Sequence, residues 1–236
     1  MLRMLSDCWA ISTQALVECR SRIGDIARAT AWPAILLVLC EELGNRFADD
    51  VMVVAFSLLG GLAWCFVAIQ THRLVLLSRP DGYARVEWNI VLRYALIVLG
   101  VYLVGYMVAI AFGIVLRDIA GSSTGTVINA FFYTVPAIAA LYVIARLSLL
   151  LPNRAVGLKD PLGEVVSWSK NNGWKLTIVL FLPPLVLSIP TLLIDQTEMS
   201  IVGSLLSSVL SLLITVYSIV LLSVSYRGLS KPTRSV

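Results

Sequence analysis

Residues 94–116 read YALIVLGVYLVGYMVAIAFGIVL and contain no Asp, Glu, Lys or Arg. About 20 apolar residues in a helix are enough to cross the hydrocarbon core of a bilayer. Of the 236 residues in the chain, 58% are hydrophobic and only 14% are charged, whereas an ordinary soluble domain has about 25% charged residues. The chain therefore lacks the polar side chains needed to cover a water-exposed surface, and we expect an integral membrane protein.

Charge-poor stretches of this kind recur along the chain and predict six transmembrane helices. They lie at about residues 27–44, 51–72, 88–116, 125–146, 174–194 and 199–226. The predicted fold class is all-α, a polytopic membrane helical bundle. In this division an amphipathic interfacial segment (1–26) precedes the membrane domain (27–230), and a short tail (231–236) follows it.

The basic residues are distributed unevenly between the two ends of the predicted spans. All but two of the 18 Lys and Arg residues lie in the N-terminal segment, around the loops after the second and fourth spans, or in the tail. The exceptions, Arg46 and Arg117, lie among carboxylates on the other side. Because Lys and Arg concentrate on the cytoplasmic side, we expect both termini to be cytoplasmic, in agreement with the even number of spans.

The even-numbered spans end in a similar order of residues. An arginine, a leucine-bearing stretch and a proline follow one another in QTHRLVLLSRP, IARLSLLLP and SYRGLSKP. Each odd-numbered span begins near a tryptophan, and both residue types anchor helices at a membrane interface. The repetition predicts three parallel two-helix hairpins, with Arg73, Arg146 and Arg227 at similar depth. The leucines after Arg146 are expected along the interface until Pro152 ends the helix.

Cationic side chains at this face are candidates for binding lipid headgroups, because guanidinium groups hold phosphates through paired hydrogen bonds. The candidate headgroup-binding residues are Arg73, Arg146, Arg227, Arg154 and Lys159. The single histidine, His72, precedes Arg73, and we expect it to be a polar cap at the same interface.

Two spans carry features that suit either helix packing or a transport pathway. The fifth contains Pro183 and Pro184, which remove hydrogen-bond donors and kink a helix. The sixth places hydroxyl residues along one face: Ser204, Ser208, Ser211, Thr215 and Ser218. Small residues let helices approach closely, so packing is the favoured interpretation. The alternative is a polar pathway beside a broken fifth helix.

Two further segments predict helices at the cytoplasmic face. Residues 2–26 place apolar side chains on one broad helical face and charged side chains on the other. Such an amphipathic helix lies in the interface or packs under the bundle. Asp160 precedes Pro161, which predicts an N-terminal cap for a second, short helix. Basic residues around that helix are expected to attract anionic headgroups.

The sequence contains no pattern that predicts a catalytic or metal site. Its four cysteines form no CxxC pair, so we expect neither a zinc nor an iron–sulfur site. The HExxH motif and the P-loop are both missing. No Asp or Glu lies near the middle of a predicted span, where an ion relay would need one. We therefore expect a protein that has no cofactor and is not an enzyme.

The stretch ARLSLLLPNRAVGLKDPLGEVVSWSKNNGWKL, with RLVLLSRP upstream, resembles the YciC-like group of bacterial inner-membrane proteins. The resemblance is strongest over about residues 140–180, and the N-terminal amphipathic segment lies outside it. It implies a multi-pass protein of the bacterial cytoplasmic membrane. The group brings no established activity and no catalytic residues to transfer to this chain.

These observations favour a non-enzymatic membrane protein that acts through lipids or partner proteins in envelope organisation. The expected partners are membrane lipids, together with other proteins or further copies of the chain, and no nucleic acid. The alternative is a transporter or channel for a small or lipidic substrate that uses the fifth and sixth spans. A cavity along these spans would favour the alternative, whereas tight packing would remove its basis.

Overall fold

The structure is a computed structural model that describes residues 2–46, 50–77, 86–120, 126–158, 160–191 and 201–230. In chain order its helices are α1 (Leu2–Arg46), α2 (Asp50–Leu77), α3 (Trp88–Ala120), α4 (Thr126–Leu147), α5 (Leu150–Ala155), α6 (Leu162–Trp168), α7 (Gly173–Leu187) and α8 (Ile201–Leu229). No strand occurs within these described ranges. The predicted all-α helical bundle is confirmed.

Six helical segments within the described chain are long and apolar enough to cross a membrane. They belong to α1, α2, α3, α4 with α5, α7 and α8, and their mean hydropathies lie between 1.5 and 2.4. Large apolar side chains such as Leu96, Leu99 and Tyr106 are exposed on the outer surface of α3. Extended apolar surfaces of this kind suit contact with lipid rather than water. The chain is a multi-pass membrane protein.

Each predicted span corresponds to one of these helices, although the boundaries differ at both ends of the chain. The amphipathic segment and the first span form one continuous helix, α1, with Pro33 inside it. Residues 192–200, which hold the predicted end of the fifth span and start of the sixth, lie outside the described residues, as does the tail 231–236. The end of the bundle that holds Arg73, Arg146 and Arg227 is called the basic end below.

The N-terminal half of α1 crosses the bundle at the basic end. Asp7 pairs with Lys175 at the start of α7 at 2.9 Å, and Glu18 pairs with Arg227 near the end of α8 at 2.9 Å. The side chains on its inner face are buried, among them Cys8, Ala15 and Ile26. Four other apolar side chains of the predicted amphipathic segment 2–26 are exposed instead: Leu5, Trp9, Leu16 and Ile23.

The three predicted hairpins are not equally self-contained. α1 packs along α2, and α3 packs along α4, so the first two hairpins form compact pairs. In contrast, α8 contacts α1 and α2 more extensively than it contacts α7, its partner in the third predicted hairpin. α8 also contacts α5, and most of its residues from 216 to 226 are buried, so its half nearest the basic end lies inside the bundle.

The leucine-rich stretch after Arg146 is buried, which corrects the expectation that it lies along the interface. α4 ends at Leu147, and α5 begins at Leu150 with Pro152 inside it. Leu149 and Leu151 are buried in the core. Proline is tolerated in the first turn of a helix, where its missing N–H has no intrahelical partner to lose. Pro152 therefore lies within a new helix instead of ending the old one.

α3 and α4 pack closely at Gly105, where a side chain would collide with Ile144. A Cβ atom at Gly105 would lie 2.5 Å from Cγ1 of Ile144, whereas a Cβ atom at Gly100 would meet nothing within 4 Å. Gly105→Val is expected to destabilise the protein by about 1–3 kcal/mol through overpacking, with Gly100→Val as the control on the same helix. Thermal denaturation of the detergent-purified variants measures this, and equal midpoints would contradict it.

Candidate functional site

Two arginines at the basic end bind backbone oxygens in the last turn of α2. Arg22 donates to the carbonyl oxygen of Leu74 at 2.5 Å, and Arg227 donates to that of Val75. Glu18 contacts both guanidinium groups, at 3.0 Å and 2.9 Å. The last carbonyl groups of a helix lack intrahelical donors and carry the negative end of its dipole, so cations stabilise them. This cluster joins α1, α2 and α8.

Two more arginines stabilise helix ends in the same way. Nε of Arg73 donates to the carbonyl oxygen of Ala155, the last residue of α5, at 2.8 Å. Arg146 donates to Oγ of Ser169 at 2.9 Å and to the carbonyl oxygen of Val166, near the end of α6, at 3.2 Å. The basic end is therefore a layer of guanidinium–carbonyl contacts that ties together helices distant in sequence.

The loop between α5 and α6 has its own polar contacts. Arg154 donates to two loop carbonyl groups, including that of Asp160 at 3.1 Å. The buried Asn153 amide donates to the Asp160 carboxylate at 2.8 Å and to the Tyr226 hydroxyl at 3.1 Å. The N-cap of α6 is Pro161 and not Asp160 as predicted, and proline has no side-chain acceptor with which to cap a helix.

Four of the five predicted headgroup-binding residues lie in the described chain, and Lys159 lies outside it. All four donate to main-chain oxygens: Arg73, Arg146, Arg154 and Arg227. These bonds give each arginine a role in holding helix ends together. Headgroup binding by these arginines stays a prediction.

His72 lies inside the bundle with no exposed surface, which corrects its expected position as an interfacial cap. Its Nδ1 lies 2.7 Å from Oγ of Ser223 on α8, and its Nε2 lies 3.1 Å from the Tyr94 hydroxyl on α3. Ser223 also bonds to the carbonyl oxygen of Ile219 at 2.9 Å. A continuous chain of hydrogen bonds therefore joins α2, α3 and α8.

The donor and acceptor roles in this chain depend on the tautomer of His72. With the hydrogen on Nδ1, the ring donates to Ser223, whose own proton goes to the Ile219 carbonyl, and Nε2 accepts from the Tyr94 hydroxyl. With the hydrogen on Nε2, Ser223 donates to Nδ1 and the ring donates to the Tyr94 oxygen. In both tautomers His72 bridges α2, α3 and α8.

A cavity of about 500 Å³ lies between α1, α2 and α8. Three residues of the predicted hydroxyl face line it, Ser208, Ser211 and Thr215 on α8, and Glu41 of α1 and Trp64 of α2 also border it. These α8 hydroxyl residues therefore face a cavity, which differs from the favoured interpretation that they serve packing between helices.

A second cavity, of about 270 Å³, lies nearer the basic end between α2, α3, α4, α7 and α8. His72 and Tyr94 line it, together with the hydroxyl residue Ser218. Trp64 and Thr215 border this cavity and the first one. The two cavities thus adjoin at these two side chains and follow one face of α8.

Glu42 is a buried carboxylate that is not among the site residues predicted from the sequence. It lies near the end of α1 and accepts hydrogen bonds from Ser204 and, at 3.3 Å, from Ser208. The four-residue spacing of the two serines places them on one face of α8. The spacing was visible in the sequence, but nothing local indicated that a residue of the first span would be their acceptor.

The fifth spanning helix is not broken at its paired prolines. α7 runs from Gly173 to Leu187 with Pro183 and Pro184 inside it. Its contribution to the second cavity comes from Leu180 and Phe181. The feature that suits a pathway is therefore the hydroxyl face of α8 and not an interruption of α7.

Within the described ranges, no three His, Cys, Asp or Glu side chains lie close enough together to hold a metal ion. Comparison of the chain with protein-family models, with curated proteins and with solved structures finds no match. Function is therefore inferred from the geometry of this chain.

Two serines on α8 provide a matched test of the buried chain. Ser218 and Ser223 each bond to a carbonyl group of their own helix, at 2.8 Å and 2.9 Å. Of these two hydroxyls, only that of Ser223 also binds His72 in the described structure. Ser223→Ala leaves Nδ1 of the buried His72 without its hydrogen-bond partner, which costs about 1–3 kcal/mol. Denaturation midpoints should fall more for Ser223→Ala than for Ser218→Ala, and equal losses would contradict the chain.

Proposed function

We propose that the protein is a membrane transporter that moves a small polar solute along the hydroxyl-bearing face of α8. The observation that supports this most is the adjoining pair of cavities on that face, which meet at Trp64 and Thr215. In a bilayer, hydroxyl groups that border a cavity provide hydrogen bonds that the surrounding hydrocarbon does not. A solute that leaves water needs such partners.

The lining favours a neutral or cationic solute. Glu41 borders the first cavity, and none of the described residues that line it is Lys or Arg. Ser208 lines the same cavity and is hydrogen-bonded to the neighbouring Glu42. Carboxylates at this position attract positive charge, and an anion would meet no compensating cation there.

Trp64 is the proposed barrier between the two cavities. Its ring packs against that of Tyr94, with centroids 6.3 Å apart. Tyr94 in turn binds His72, which binds Ser223 of α8. A displacement of Trp64 would thus be transmitted to the buried chain that joins α2, α3 and α8. This coupling would let the two cavities open in turn instead of together.

The proposed location is the bacterial cytoplasmic membrane with both termini in the cytoplasm. Two sequence features support it, the concentration of Lys and Arg at the basic end and the resemblance to the YciC-like inner-membrane proteins. In this orientation the first cavity lies in the outer half of the membrane. That the protein is not an enzyme stays a prediction.

Thiol labelling along α8 tests the proposed pathway. In a background with the four native cysteines replaced by Ala, Ser211→Cys samples the first cavity and Ser218→Cys the second. The lipid-facing control is Leu213→Cys, at an exposed position on the same helix. A cationic methanethiosulfonate reagent should modify the cavity thiols at least about tenfold faster than the control, because hydrocarbon excludes charged reagents.

The side from which each thiol reacts tests the barrier and the orientation. Ser211→Cys should react in right-side-out vesicles, and Ser218→Cys should react in inside-out vesicles. A Ser230→Cys variant, beyond the end of α8, reports the basic end and should react only in inside-out vesicles. Cavity thiols that react no faster than Leu213→Cys would overturn the transport proposal, and labelling of Ser230→Cys from outside would overturn the orientation alone.

A second candidate function, action through membrane lipids, is favoured by the exposed stripe on the N-terminal half of α1. Trp9 is 74% exposed, and Leu5, Leu16 and Ile23 lie on the same side of the helix. Asp25 is on the opposite side, so the helix has the amphipathic form of an interfacial element. This function would extend to partner proteins that bind the same stripe.

Spin labels at two positions of α1 test the lipid contact. A label at Leu16→Cys should be relaxed more by oxygen, which concentrates in lipid, than by a water-soluble nickel complex. A label at Asp25→Cys, on the opposite side, should show the reverse preference, because it faces water. If both labels respond mainly to the nickel complex, the stripe does not lie in the membrane.

A further inference from the structure

A third cavity, of about 200 Å³, lies where the N-terminal half of α1 covers the start of α7 and the end of α8. Polar side chains from all three regions line it: Gln14 from α1, Asn172 and Lys175 from the start of α7, and Ser225 from α8. The other lining residues include the apolar side chains of Ile11, Leu176 and Val179. It is separate from the two cavities that border Trp64.

Ser225 has an unusual state among the hydroxyl groups of α8. It is only 4% exposed, yet its hydroxyl has no hydrogen-bond partner within the described structure. Ser218 and Ser223, on the same helix, bond to carbonyl groups one turn earlier. A buried hydroxyl without a partner is energetically unfavourable. Ser225 lines the cavity, but its hydroxyl oxygen has almost no accessible surface, so rotation of the side chain about χ1 would bring it to a ligand bound there and supply the missing partner.

The start of α7 adds positive electrostatic potential to the same cavity. α7 has 15 residues, no acidic residue in its first turn and no side-chain cap from its N-cap residue, Asn172. The amide groups at such a helix end and the positive end of the dipole favour an anion. Lys175, in the first turn, adds a full charge, and its ammonium group is shared with Asp7 at 2.9 Å.

From these observations, we propose that the third cavity is a binding site for a phosphate group. The start of α7 and Lys175 would hold the charge, and the Ser225 hydroxyl and the Asn172 amide would donate hydrogen bonds to the phosphate oxygens. A phospholipid headgroup and free inorganic phosphate share this chemistry, and the apolar lining suits the glycerol part of a lipid. The proposal is independent of transport along α8, since it uses none of the residues that line that path.

Asp7 competes with the phosphate for Lys175, which gives the site a distinctive response to mutation. Lys175→Gln should weaken binding about tenfold, the loss of one charge-assisted hydrogen bond. Asp7→Asn should strengthen binding, because it releases Lys175 and removes a nearby negative charge. A purely structural role for the Asp7–Lys175 pair predicts that both variants behave alike. Lys170→Gln, an exposed position in the loop before α7, is the control for total charge.

The Ser225→Ala variant separates a ligand site from a water-filled gap. Without ligand, it removes an unpaired buried hydroxyl, so the variant should be at least as stable as the natural protein. With ligand, it should lose part of the stabilisation. If Ser225→Ala is destabilising in the absence of ligand and responds normally to ligand, the hydroxyl is satisfied without phosphate and the proposal fails.

The experiment measures the thermal midpoint of the purified full chain in micelles of dodecyl maltoside, a detergent that contains no phosphate. Phosphatidylglycerol in the micelles, or inorganic phosphate in the buffer, is then added at increasing concentration. Stabilisation that Lys175→Gln and Ser225→Ala reduce, Asp7→Asn increases and Lys170→Gln leaves unchanged supports the site. A response to inorganic phosphate assigns the free ion, and a response to phosphatidylglycerol alone assigns the headgroup. No response to either, or an equal response in all variants, overturns the proposal.

Discussion

The ion cluster of Glu18, Arg22 and Arg227 on the last carbonyl groups of α2 holds the rest of the bundle in place. Carbonyl groups at a helix end near hydrocarbon need donors, because lipid chains provide none. The two arginines supply them from α1 and α8, and their own charges are balanced by one carboxylate. This fixes the N-terminal half of α1 against the basic end and sets α8 beside α1 and α2.

The central position of α8 explains why so many polar features of the interior share one helix. Its first turns present Ser204 and Ser208 to the buried Glu42, its middle borders two cavities, and Ser223 binds His72. A Ser or Thr hydroxyl can donate to a carbonyl group of its own helix when no other partner is near. Such a face is therefore stable whether the cavity beside it is occupied or empty. This tolerance suits a surface along which a solute passes.

The N-terminal half of α1 has three different sides. One side is buried on the bundle, one exposes a stripe that includes Trp9 and Leu16, and one carries the acidic residues Asp7 and Asp25. The same segment covers the cavity that contains Ser225. Because this segment packs on the bundle and exposes an apolar stripe on another side, it is well placed to relate its surroundings to the position of α7 and α8.

The sequence by itself determined the class of fold and the number of spans, because apolar length and the separation of charges are local properties. It also indicated the short helix α6 and the hydroxyl face of α8. Only the tertiary structure decided what these features contact. Arg73 meets the carbonyl group of Ala155, 82 residues later, and His72 meets Ser223, 151 residues away. A polar residue in an apolar helix must find a partner, but the pattern of one helix does not contain the identity of that partner.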